Sequence, residues 1–122
     1  MNFKILVVDD EKDLRDLITY FLKKEHYEVM TAENGKDGFE KIQSWKPNLV
    51  ISDIRMPVWD GFELIKQMSQ NSESGAPIMF ISGYVGGSEE ELKNNPLCAG
   101  FIPKPVNKKE LLSLVKEFET SH

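Results

Sequence analysis

Leu49–Gly61 reads LVISDIRMPVWDG. Leu49, Val50 and Ile51 suit a strand buried on both faces, yet the run leads straight into Asp53. A carboxylate left bare beside a core costs several kcal/mol unless it is paired, hydrogen-bonded or bound to a metal. Asp53 therefore belongs where a strand leaves its sheet. The neighbouring segments decide what kind of sheet that is.

Three further apolar runs resemble Leu49–Ser52: KILVV (Lys4–Val8), EVMTA (Glu28–Ala32) and IMFI (Ile78–Ile81). GFI (Gly100–Ile102) is a fifth, shorter candidate. The first, third and fourth in chain order are nearly continuous apolar runs, as strands covered on both faces should be. Helical patterns fill the gaps. Leu14, Leu17, Ile18, Phe21 and Leu22 make a 3.6-residue stripe. Phe39 and Ile42 begin a weaker one, with Gly38 lowering helix propensity. Phe62, Ile65 and Met68 form the third, and Ser88–Asn95 is a short polar helix. Leu111, Leu114, Val115 and Phe118 mark the last helix, which Asn107 is placed to cap. Five strand-then-helix units predict a parallel sheet with helices on both faces.

Bulk properties narrow the function. The chain has 122 residues, a length that suits one domain. Its 20 acidic and 15 basic residues give a net charge of −5, which argues against nucleic acid or an acidic membrane as a direct partner. Cys98 is the only cysteine and cannot form an internal disulfide. The opening MNFKILVVDDEK lacks the long apolar core of a signal peptide, and no run is long enough to span a membrane. These features predict a cytoplasmic protein.

Ligands of open α/β sheets sit outside the carboxyl ends of the strands. The first strand exits into Asp9, Asp10 and Glu11, and the third into Asp53. The fourth exits into Ser82 and the glycine-rich GYVGGS, and the fifth into Lys104 between Pro103 and Pro105. Gathered together, the carboxylates would repel and raise one another's pKa. A hard dication such as Mg²⁺, or Mn²⁺ in its place, relieves that repulsion. A hydroxyl and an ammonium beside it suit an incoming oxyanion, and a carboxylate can itself become phosphorylated. Taken singly, each residue has a plainer reading: Asp9–Glu11 as the acidic first turn of a helix, Phe101 as core, Ser82 and Lys104 as surface.

In order and spacing, LVVDDE, DIRMPVWDG, ISGY and GFIPKP resemble the receiver domain of two-component response regulators. The resemblance covers essentially residues 1–122 as one receiver domain. It implies a flavodoxin-like (βα)5 three-layer sandwich whose five-stranded parallel sheet has the order 2-1-3-4-5. By position it implies Asp53 as phosphoacceptor, taking a phosphoryl group from a phosphohistidine of a sensor kinase or phosphotransfer protein. It implies Mg²⁺ held by the side chains of Asp10 and Asp53 and the backbone carbonyl of Arg55, with Asp9 acting through a metal-bound water. Ser82 and Lys104 would each meet a phosphoryl oxygen, and the Lys104–Pro105 peptide would be cis. Ser82 and Phe101 would be the switch pair, altering the face built from the fourth helix, fifth strand and fifth helix. Partner binding, including phosphorylation-dependent dimerisation, would change there. Arg55 and Tyr84 stand at the variable positions that tune hydrolysis. Such a domain catalyses only its own phosphorylation and slow dephosphorylation.

Two other classes of function fit less well. A degenerate receiver, serving as a phosphorylation-independent interaction module, usually loses an acid, the hydroxyl or the lysine; all are present here. A hydrolase of the haloacid dehalogenase type would want an acid two residues after its nucleophile, where this chain has Arg55. A flavodoxin would want a phosphate loop where it has DDEKD.

Overall fold

The computed structural model describes residues 2–71, 75–83 and 88–121. Strands and helices alternate: β1 (Lys4–Val8), α1 (Lys12–Lys24), β2 (Glu28–Ala32), α2 (Gly35–Trp45), β3 (Leu49–Asp53), α3 (Gly61–Gln70), β4 (Ile78–Ser82), α4 (Ser88–Lys93), β5 (Cys98–Pro103) and α5 (Lys108–Ser121). All strand pairs are parallel, and the order is β2-β1-β3-β4-β5. This is the flavodoxin-like arrangement expected from the sequence.

Every position of β3 and of β4 is buried. Their side chains alternate between two cores, following the period of two along a strand. On one face Ile5, Val7, Leu49, Ile51, Met79, Ile81 and Ile102 pack with Ile18 and Leu22 of α1 and with Leu111, Val115 and Phe118 of α5. On the other, Leu6, Val8, Val50, Ile78 and Phe80 pack with Ile42 of α2, Leu64, Ile65 and Met68 of α3, and Leu92 of α4. The sheet is thus the middle of three layers. Such burial contributes about 25 cal/mol for each Å² of apolar surface removed from water.

Local chemistry sets the helix boundaries. Asn34, Asp60 and Asn107 each accept a hydrogen bond through Oδ1 from the N–H three residues on, at 2.8, 3.0 and 3.0 Å. These satisfy donors that have no partner within the helix. Gly38, unfavourable by propensity, has a packing reason: a Cβ there would lie 2.9 Å from Val8 Cγ2. The helix crosses the strand too closely for a side chain.

Three expectations change. The buried face of α1 is centred on Arg15, Ile18 and Leu22, while Leu17 is 43% exposed. Counting only apolar residues moves the stripe by one position, because Arg can lay a long stem along a core. β5 begins at Cys98, not Gly100, because an irregularity in register carries the pairing from Cys98 to Gly100. Gly100 has φ +142°, a conformation that a side chain would strain. α4 is six residues long and stops at Lys93, two residues short of the expected end.

Candidate functional site

Two strand exits, those of β1 and β3, bring three acids together. One carboxylate oxygen from each of Asp9, Asp10 and Asp53 lies within 4.8 Å of the others. Asp9 and Asp53 are buried and Asp10 is exposed, so water reaches the cluster from one side. Helix α1 starts at Lys12, beyond all three residues of the Asp9–Glu11 run. The acids therefore occupy the exit of β1 and the turn after it, not the helix's first turn.

Asp9 is fully buried. Its N–H donates to the Ala32 carbonyl at 3.1 Å, and its Oδ1 accepts from the Glu11 N–H at 2.9 Å. Its Oδ2 is buried and has no hydrogen-bond partner among the described residues. Burial pushes the carboxyl up to about 6; the Glu11 N–H opposes the rise, Asp53 and Asp10 add to it and Lys104 opposes it. An unpartnered buried oxygen beside two more carboxylates is the donor set that a hard, oxygen-seeking dication fits.

Asp53 closes β3. Its Oδ1 accepts from the Ile54 N–H at 2.7 Å, and its Oδ2 lies 3.2 Å from Lys104 Nζ. Lys104 reaches it from the end of β5, where its own N–H donates to the Ser82 carbonyl at 2.9 Å. The lysine stem runs past Gly83, whose added Cβ would sit 3.2 Å from Lys104 Cδ. Ser82 is buried at the end of β4. Lys104–Pro105 is a cis peptide. Thus Asp9, Asp10, Asp53, Ser82 and Lys104 all stand at the carboxyl edge of the sheet, with Asp9, Asp10 and Asp53 clustered and Lys104 bonded to Asp53.

Arg55 is exposed on the β3–α3 loop. That loop leans on α2: a Cβ on Gly35 would collide with the Trp59 carbonyl oxygen. The Trp59 ring packs 5.5 Å from Phe39. Phe101 is half-buried and its ring is 6.2 Å from that of Phe80. Tyr84 and the glycines at 86 and 87 lie outside the described residues.

Two buried polar residues escaped the sequence reading. Ser52 donates to the Asp53 carbonyl at 2.8 Å. Arg15, 9% exposed, donates through Nη1 to the Asp9 carbonyl at 2.7 Å. The signal for Arg15 was its place three and seven residues before Ile18 and Leu22, on their face of the helix.

The model of the response regulator receiver domain matches residues 5–116. The chain belongs to the response regulator receiver family. Among solved structures, this receiver superposes on the CheY-like response regulator receiver domain protein of Methanospirillum hungatei JF-1. That match has a TM-score of 0.89 and 30% identity, and covers 99% of this chain and 96% of that one. Vibrio cholerae chemotaxis protein CheY4 matches with a TM-score of 0.85 and 29% identity, over 96% and 98% of the two chains. In sequence, the receiver is 33% identical over 116 residues to the alkaline phosphatase synthesis transcriptional regulatory protein PhoP of Bacillus subtilis (strain 168), covering 95% of this chain. It spans 48%, about half, of that protein's length. Receivers are in general signalling switches of two-component systems that bind Mg²⁺ through acidic residues, rather than enzymes acting on separate substrates. Among the described residues, no helix is long and apolar enough to cross a membrane.

Proposed function

We propose that residues 1–122 form a phosphorylation-activated receiver, working in the cytoplasm, whose phosphoacceptor is Asp53. The observation that carries this reading is the 3.2 Å contact between Lys104 Nζ and Asp53 Oδ2, made within the three-acid cluster by residues 51 apart in sequence. A degenerate, phosphorylation-independent module usually lacks an acid, the hydroxyl or the lysine, and the presence of Asp9, Asp10, Asp53, Ser82 and Lys104 in the sequence supports the phosphorylated reading over it.

The side chains of Asp10 and Asp53 and the Arg55 carbonyl would hold Mg²⁺, with Asp9 acting through a bound water. When bound there, the metal supplies charge neutralisation for the carboxylates and for the oxygens of the transferring phosphoryl group. The donor is a phosphohistidine on a kinase or phosphotransfer protein. Its N–P bond breaks as an Asp53 Oδ–P bond forms, and the imidazole leaves as the proton-accepting product. The Ile54 N–H fixes the attacking carboxylate by holding Oδ1. Lys104, on a flexible stem, turns from Oδ2 to a phosphoryl oxygen as charge moves outward. Ser82 accompanies it by binding a second phosphoryl oxygen.

That new bond biases the loop after β4, and Phe101 fills the space which Ser82 leaves. The outcome is a population shift on the α4–β5–α5 face, where an output partner or a second copy binds. Arg55 and Tyr84 shield the acylphosphate and lengthen its life.

Intact mass after incubation with Mg²⁺ and acetyl phosphate tests the reading. One phosphoryl adduct is expected on the native chain and none on Asp53→Asn. Absence of an adduct on the native chain, with a phosphohistidine donor as well, would refute it. Decay of the same adduct should quicken in Arg55→Ala and in Tyr84→Ala.

A further inference from the structure

Of the buried polar residues Asp9, Arg15, Ser52, Asp53 and Ser82, only Arg15 projects from a helix. Burying a guanidinium is costly unless its donors find acceptors. Its short contact is with a backbone oxygen: Nη1 donates to the Asp9 carbonyl at 2.7 Å. Its nearest carboxylate, Glu33 Oε1, is 4.0 Å from Nη2 on a side chain 78% exposed, which makes a weak pair. The Asp9 carbonyl belongs to the peptide group joining Asp9 to Asp10. The other side of Asp9 is fixed by its N–H bond to Ala32. A peptide group is planar, so holding its oxygen sets the orientation from which both acidic side chains depart.

We propose that Arg15 is a positioning residue for the acidic cluster, its guanidinium holding the Asp9–Asp10 peptide so that both carboxylates are preset for a divalent cation. This inference rests on the reading of Asp9, Asp10 and Asp53 as a Mg²⁺ site. Groups that orient metal ligands from outside the coordination shell matter because a ligand set ordered in advance pays less entropy on binding. Arg15 would act on both acids through one bond. Lysine should replace it largely, since a single donor at the end of a long stem meets the same acceptor.

Calorimetric titration of chelator-stripped protein with Mg²⁺ tests this. Arg15→Met should weaken binding about 10-fold, the lower end of what such outer groups contribute. Arg15→Lys should restore it to within about 3-fold of the native chain, as one hydrogen bond needs no planar fork. Val115→Ala, which opens a cavity in the α5 core away from the acids, controls for lost stability and should leave Mg²⁺ affinity unchanged. Native affinity in Arg15→Met, or equal weakening in Val115→Ala, would overturn the proposal. If Arg15→Met does not fold, the native chain still decides. Mg²⁺ should shift the guanidinium ¹⁵N resonance of Arg15 and slow its proton exchange, and an unmoved resonance rejects the idea. Lack of any Mg²⁺ binding by the native chain would instead remove the metal-site reading on which the proposal stands.

Discussion

The Asp9 carboxyl is wholly buried, and burial raises it from 3.8 to about 6. Its charge thus opposes the metal-free fold. Between those values the folded chain binds the proton more tightly than the unfolded chain, so this group's contribution falls as pH rises. The cost is absent below about pH 4 and fully present above about pH 6. In chelator, Asp9→Asn should therefore melt higher than the native chain at pH 7, with the difference shrinking toward zero near pH 4. Thermal melts at both pH values check this, and a pH-independent difference would contradict it. Asparagine retains an oxygen for the Glu11 N–H, so the comparison isolates charge.

At the scale of elements, helix ends show how far local chemistry goes. Asn34, Asp60 and Asn107 cap their helices through one side-chain oxygen each. At the other end of α2, Lys46 adopts φ 54° and ψ 65°, while its N–H donates to the Ile42 carbonyl. Left-handed backbone costs an ordinary residue about 1–2 kcal/mol, whereas glycine adopts it freely. Lys46→Gly should accordingly stabilise the fold by about 0.5–1 kcal/mol, after the extra freedom of glycine in the unfolded chain is subtracted. Urea denaturation at constant m-value measures it. A loss of stability would show that the lysine side chain contributes more than its backbone costs.

For the whole molecule, the fold and the site work against each other. Three layers place β1 and β3 side by side, and that adjacency sets three carboxylates within 4.8 Å. A ligand binding only the folded state stabilises it by mass action, by about 2.7 kcal/mol at a hundredfold excess over its dissociation constant. Mg²⁺ should therefore raise the melting temperature of the native chain at pH 7. Asp10→Asn should blunt the rise. An equal rise in both, or none in either, would speak against binding at the cluster.

The sequence by itself determined the alternation of strands and helices, because strand burial and helical stripes are written in nearest-neighbour periodicity. It also placed Asp9, Asp10, Asp53, Ser82 and Lys104 at strand exits, and the ordered motifs carried the strand order through family resemblance. Local pattern had less hold on α1, where Leu17 is exposed and Arg15 is buried. An arginine can join a core face if an acceptor waits for it, and that acceptor belongs to another element. Nor did β5 reveal its start, since its register depends on how β4 pairs with a bulged partner. Only the tertiary structure decided which Asp9 oxygen is left without a partner among the described residues and that Lys104 meets Asp53 Oδ2. It alone showed that a guanidinium holds the Asp9 carbonyl. Each of these depends on atoms brought together from distant parts of the chain or from a helix folding back on its strand, and no local periodicity encodes such distances.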